Sequence, residues 1–134
     1  MKGSLEIIAD WEDTTGVLHN KLEKNSAIYK WVIGKAIYIG ETVNLAKRIR
    51  GYIRPGPTQT TNKRINSFIE KAKTVEFYVL NISSLKINET EIINSSNQDE
   101  VLKDVFIRKL IENYYLVQAK LEGVELLNAV GRKG

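Results

Sequence analysis

The chain has 134 residues, a formal net charge of +4, one histidine and no cysteine. This length fits a single domain, residues 1–134, that can bury its own core. The composition excludes disulfides, thiolate metal sites and a multi-histidine metal site. There is no signal-peptide core and no apolar run as long as a membrane span, so we expect a cytoplasmic protein without a membrane partner.

The first 26 residues give only a weak structural signal. Leu5, Ile7 and Ile8 could begin a short strand or a short helix, and the segment is acidic. A lone histidine in a polar stretch is usually exposed, so His19 is assigned no chemistry.

A β-hairpin is predicted next, over residues 27–33 and 36–40. Two apolar runs flank Gly34-Lys35, and a Gly-X pair between such runs is typical of a two-residue turn. This register places Tyr29, Trp31 and Tyr38 on one face of the sheet. Gly40 lies opposite Tyr29, so we expect open space above the phenols in which a ligand could bind.

A helix over residues 43–53 follows, with Thr42 or Asn44 as its cap. Arg48 and Tyr52 are four residues apart and therefore neighbours on its surface. The stretch brings an arginine and three tyrosines towards one place. Cationic and phenolic groups over a glycine gap suit a substrate that contains phosphate.

The rest of the chain predicts two more helices and one more strand. Residues 54–61 read as a loop, 62–72 as an amphipathic helix, and 75–81 as a third strand. Residues 82–100 are acidic and rich in Asn and Ser, and are interpreted as a partly mobile insertion.

The last predicted helix, 101–120, has an apolar stripe that we expect to be buried, formed by Leu102, Phe106, Leu110, Tyr114, Val117 and Leu121. The expected fold is therefore mixed α+β, with a small, largely antiparallel three-stranded sheet flanked by helices.

Positive charge is concentrated beside the candidate site. Residues 43–73 hold eight Lys and Arg against one Glu, whereas residues 83–100 hold one Lys against four acids. Such a block is the footprint expected of a nucleic-acid contact, although a solvated helix face is the alternative. The candidate DNA contacts are Lys47, Arg50, Arg54, Lys63 and Arg64.

Taken together, these motifs resemble the GIY-YIG nuclease family. Ala27-Ile28-Tyr29 matches the first tripeptide with Ala for the usual Gly, and Tyr38-Ile39-Gly40 matches the second. The segment that follows matches through Thr42, Asn44-Leu45 and Arg48, and Tyr52 stands where many members have His. Late in the chain, Leu110-Ile111-Glu112 and Leu126-Leu127-Asn128 are similar to the family's metal-binding Glu and final Asn.

The resemblance implies a metal-dependent DNA endonuclease that uses Mg²⁺ or Mn²⁺. It implies Glu112 as the metal ligand and Tyr29 as the general base. It also implies that Arg48 stabilises negative charge and that Tyr38 orients water or phosphate. Tyr52 would take the role of the family's His, and Asn128 would hold the geometry of the site.

Glu122 and Glu125 are alternative candidates for the metal ligand, but they fall at or beyond the expected end of the helix near Gly123. The motifs place one acid, which argues against a two-metal site.

Two questions remain open at this level. A small stand-alone enzyme of restriction or phage type is favoured, and the alternative is a nucleic-acid-binding module that kept the GIY-YIG fold but does not cleave. A monomer or a weak or DNA-induced homo-oligomer is expected, with Tyr115 and Leu116 available as a contact surface.

Overall fold

A computed structural model describes residues 3–17, 25–56 and 59–128. Six strands form the sheet: β1 (Leu5–Asp13), β2 (Ala27–Ile33), β3 (Ala36–Thr42), β4 (Val75–Ile87), β5 (Thr90–Ile93) and β6 (Glu125–Leu126). Four helices pack around it: α1 (Leu45–Ile53), α2 (Thr60–Lys71), α3 (Gln98–Val101) and α4 (Val105–Leu121). The fold is mixed α+β, as predicted. The prediction for His19 lies outside the described residues, as does part of the 54–61 loop.

The sheet has more strands than the three that were predicted. Its order is β1-β4-β2-β3-β6, with β5 paired to β4, and every pairing is antiparallel except β3 with β6. Two of the added strands, β1 and β6, are held by partners far away in the chain, whereas β5 pairs with the end of β4 directly before it. Leu5 at the start of β1, for example, pairs with Ile87 at the end of β4.

The central hairpin forms in the predicted register. Tyr29 pairs with Gly40, Trp31 with Tyr38, and Ile33 with Ala36. Gly34 has a φ of +63°, a backbone conformation that glycine adopts without strain. Alternation along the hairpin then divides its side chains between the two faces of the sheet.

Each face of the sheet carries its own core. On one face Tyr29, Trp31 and Tyr38 pack with α1 and α2, whose buried residues include Ile49 and Ile65. On the other face the buried side chains come from the same two strands, from β4 and from α4, and include Ile28, Ile39, Leu80, Ile82 and Ile111. The hairpin is therefore the shared central layer, and its ends lie beside both α1 and α4.

The segment 82–100 is not a surface insertion. Its first residues continue β4, which runs to Ile87, and β5 and α3 follow. Ile82, Leu85 and Ile93 are fully buried. These few apolar side chains anchor a sequence whose polar residues lie on the solvent side.

The prediction for the last helix was wrong in two respects. The predicted helix is interrupted between α3 and α4. There the Asp104 side chain caps α4 by accepting from the backbone N–H of Phe106 at 2.8 Å. The expected buried stripe is largely exposed, and the opposite side of α4, with Arg108, Ile111 and Ala119, is buried instead. No helix in the described parts of the chain is long and apolar enough to cross a membrane.

Candidate active site

A buried cluster of two phenols and a guanidinium lies between the hairpin and α1. The hydroxyl oxygens of Tyr29 and Tyr52 are 2.6 Å apart, and Arg48 Nε donates to the Tyr29 oxygen at 3.1 Å. The Arg48 guanidinium also lies over the Tyr52 ring, 4.9 Å from its centroid. The Tyr29 oxygen thus has two partners that can donate hydrogen bonds to it.

The space above Gly40 is filled by Tyr29, which corrects the expectation of an open gap. A Cβ added at Gly40 would lie 2.4 Å from both Cζ and Oη of Tyr29. The glycine therefore lets the tyrosine lie across its own partner strand. Its role is to admit the phenol rather than a ligand.

The local sequence of α1 explains why Arg48 points at the phenols. Asn44 is the cap, as one of the two predicted candidates, and its side chain accepts from the backbone N–H of Lys47 at 3.1 Å. The Thr42 hydroxyl in turn accepts from the backbone N–H of Asn44 at 3.1 Å. These two bonds fix the start of the helix directly after β3, so that Arg48, one turn into it, faces the hairpin.

Burial shifts the proton affinities of the cluster. Desolvation raises the pKa of Tyr29 to about 12, even though the charge of Arg48 and the hydrogen bonds from Tyr52 and Arg48 act to lower it. Burial and the neighbouring phenols also raise the pKa of Tyr52. For Arg48, burial opposes the charge, but the phenols beside it outweigh burial and raise its pKa, so the guanidinium stays ionised.

A polar cavity of about 600 Å³ opens between β3 and α4, beside this cluster. Five of the six predicted catalytic residues line it: Tyr29, Tyr38, Arg48, Glu112 and Asn128. Tyr52, which is fully buried, lies behind them and is linked to the cavity through the hydroxyl of Tyr29. The rivals for the metal, Glu122 and Glu125, are not part of this lining.

Asn128 holds the middle of β3 in place. Its side-chain Oδ1 accepts from the backbone N–H of Ile39 at 3.0 Å, and its Nδ2 donates to the carbonyl of the same residue at 2.7 Å. Both ends of the amide are therefore bound to the backbone of one residue, Ile39, which lies between Tyr38 and Gly40.

Sequence reasoning missed a second acid in the same cavity. Glu41 follows Gly40 on β3, and one of its oxygens accepts from Arg108 Nε at 2.5 Å while the other lies 3.3 Å from Lys109 Nζ. The Glu41 and Arg108 side chains are only 13% and 7% exposed. Glu41 and Arg108 are 67 positions apart in the sequence, so no local pattern pointed to this pair.

The donor set suits a hard divalent cation held by few protein ligands. The described residues contain no group of three or more His, Cys, Asp or Glu that could hold a metal. The Glu112 side chain lines the cavity, as does that of Glu41, which is paired with Arg108 and Lys109. Mg²⁺ accepts such a site, because it binds through one or two carboxylates and completes its shell with water and substrate phosphate.

Four of the five predicted DNA contacts are exposed, namely Lys47, Arg50, Arg54 and Lys63. The fifth, Arg64, is half-buried and donates from Nη1 to the carbonyl of Leu127 at 2.7 Å. Arg64 therefore links α2 to the segment that carries Asn128, so its guanidinium has a structural contact in addition to any contact with DNA.

No family model, no curated protein and no solved structure matches this chain.

Proposed function

We propose that the protein is a metal-dependent DNA endonuclease that hydrolyses phosphodiester bonds. The observation that carries this proposal is the Tyr52–Tyr29–Arg48 hydrogen-bonded cluster, which faces a polar cavity that Glu112 also lines. A general base, a permanent cation and a carboxylate around one cavity are the groups that phosphodiester hydrolysis requires. The motifs favour a small enzyme of restriction or phage type.

Tyr29 would act as the general base. Its phenolate would receive hydrogen bonds from Arg48 Nε and the Tyr52 hydroxyl, both already in place. These two donors stabilise the deprotonated form, which burial otherwise disfavours. Tyr38, on the wall of the same cavity, would orient the attacking water or the phosphate.

Arg48 would neutralise charge that develops on the phosphate, since its guanidinium stays ionised throughout. Glu112 would hold Mg²⁺ or Mn²⁺, and such a cation acts as a Lewis acid towards the phosphate oxygens. Asn128 would keep β3, and hence Tyr38 and Gly40, at a fixed position during the reaction.

The DNA backbone would run along the outer sides of α1 and α2. Lys47 and Arg50 on α1, Arg54 after it and Lys63 on α2 are exposed there. Phosphate contacts of this kind supply affinity without reading bases.

A plasmid-nicking assay tests the proposal. Supercoiled DNA should be nicked with Mg²⁺ or Mn²⁺ and left intact with EDTA. Tyr29→Phe and Arg48→Lys should each lower the rate at least about 100-fold, because each removes a group that acts in the transition state. Cleavage that persists in EDTA, or in the Tyr29→Phe protein, would contradict it.

One observation favours the second candidate, a nucleic-acid-binding module without cleavage. The Tyr29 side chain is only 1% exposed and its pKa is raised to about 12, so almost none of it is in the deprotonated, basic form at neutral pH. Such a module would bind DNA with the salt dependence of phosphate contacts. It would leave plasmid DNA intact at every pH and with either metal.

A further inference from the structure

The outer face of α4 presents an apolar stripe to solvent. Four side chains form it, with exposures of 80% for Phe106, 37% for Leu110, 56% for Val117 and 85% for Leu121. A groove of about 480 Å³ runs beside the last three and is closed on one side by Leu5 of β1. In the described parts of the chain nothing covers this face. The inner side of α4 is apolar as well, and it packs against the core.

The stripe is symmetric about its own centre. Phe106 and Leu121 lie equally far from the midpoint between Asn113 and Tyr114, and so do Leu110 and Val117. An antiparallel copy of the helix would therefore set Phe106 against Leu121 and Leu110 against Val117, twice over. A surface that is complementary to itself in this way is what a two-fold dimer requires.

We propose that this face binds a second copy of the same chain, with the two α4 helices antiparallel. The protruding Phe106 of one copy would enter the groove beside Leu121 of the other. Tyr115 and Leu116, the surface expected from sequence, pack against the core instead and cannot serve.

The available area is enough for a weak dimer. The stripe is about 22 Å long at 1.5 Å per residue. Since one fully buried aromatic side chain covers about 150–250 Å², the exposed parts of the stripe supply on the order of 500 Å². Stable interfaces need about 800 Å² from each partner, so neighbours such as Leu5 and Tyr114 must contribute the rest. We therefore expect dissociation in the micromolar range.

The pairing places both candidate sites on the same side of the dimer. Among the α4 residues that line the site cavity, Lys109 and Asn113 lie on one flank of the stripe, and Glu112 lies further round the helix on the same side. A two-fold axis perpendicular to antiparallel helices maps each flank onto the same side of the dimer. With the helix axes about 8–10 Å apart, the two Glu112 positions would lie roughly 15 Å from each other. A dimer with both sites on one side could reach both strands of one DNA duplex. That use of the dimer rests on the proposed function, but the pairing of the helices does not.

The same flank carries like charges across the interface. Lys109 of one copy and Lys120 of the other fall within one turn of each other in this register, and both are exposed. Lys109 is also paired with Glu41 of its own chain. The repulsion between Lys109 and the partner's Lys120 weakens the dimer at low salt. We therefore expect added salt to tighten the dimer, whereas it weakens phosphate binding. DNA phosphates on this flank would have the same effect as salt.

Sedimentation equilibrium of the full chain, without metal or DNA, tests the pairing. The dimer should appear at micromolar concentrations and tighten several-fold between about 50 and 500 mM NaCl. Phe106→Glu should abolish it, while Ile8→Glu, which changes an equally exposed residue (65%) on β1, should leave it unchanged. Lys120→Glu should tighten it at low salt by placing an acid beside Lys109 of the partner.

The register is tested separately by mixing variants. Leu110→Lys and Val117→Glu should each be monomeric alone, because a charge would face an apolar residue twice, and should associate when mixed. Folding of every variant is checked by far-UV circular dichroism and thermal unfolding. A monomer at every concentration and salt, or a dimer that Phe106→Glu leaves intact, would overturn the proposal. Both results are independent of nuclease activity, so they cannot be confused with failure of the proposed function.

Discussion

Gly40→Ala should disrupt the site through one close contact. The added methyl would lie 2.4 Å from Tyr29 Cζ and Oη, about 1 Å inside a normal carbon contact. The ring cannot simply retreat, because it packs against Phe77 and its oxygen is bound by Tyr52 at 2.6 Å. Overpacking of this kind costs about 1–3 kcal/mol in the free energy of unfolding. A displacement of about 1 Å at a reacting group can cost 100-fold in rate.

Urea unfolding and single-turnover nicking measure the two effects. The matched control is Gly16→Ala, since no atom lies within 4 Å of the added Cβ at that position. A double-mutant cycle makes the test specific. In a Tyr29→Ala background, Gly40→Ala should add little further destabilisation, because the clashing ring is gone. Equal costs in both backgrounds would refute the steric account of this glycine.

Five further outcomes are expected. Glu112→Gln should abolish metal-dependent nicking while gel shifts and unfolding stay near wild type; substantial residual cleavage would show that another carboxylate holds the metal. Lys47→Ala with Lys63→Ala should reduce the slope of log binding constant against log salt by about two, one for each lost phosphate contact, for any DNA sequence. The nicking rate should rise with pH between about 6.5 and 9, because the pKa of Tyr29 lies near 12 and its basic form becomes more common. Folding raises this pKa from 10, so stability should also fall from pH 10 towards 12, less steeply in Tyr29→Phe. In a plasmid time course, nicked DNA should precede linear DNA at low enzyme concentration, and linear DNA should form directly only where the protein is dimeric.

The parts of the fold that local sequence signals specify were predicted correctly. Gly34-Lys35 sets the hairpin and its register, and Asn44 marks the start of α1. These signals act between residues only a few positions apart. They were enough to place Tyr29, Tyr38, Arg48 and Tyr52 close together, because the hairpin and α1 are consecutive in the chain.

The parts that were not predicted depend on partners far away in the sequence. β1 is a strand because it pairs with β4 more than 60 residues later, and residues 82–87 in turn continue β4 because β1 is there to pair with them. On α4 two apolar faces compete, one with Ile111 and one with Phe106. Periodicity identifies both and cannot decide which meets the sheet. The Glu41–Arg108 pair likewise joins residues 67 positions apart.

That ion pair bears on how many metals the site could use. Two carboxylates line one cavity, which from composition alone would permit a two-metal centre. Arg108 is committed to Glu41 and to the backbone carbonyls of Leu102 and Lys103 at 2.8 and 2.9 Å, so its charge is fixed where it lies. A cation bound to Glu41 would have to displace or face this buried guanidinium, which a low-dielectric site strongly disfavours. Glu41 is therefore suited to joining β3 to α4, and the position of Arg108, rather than the number of acids, favours a single metal at Glu112.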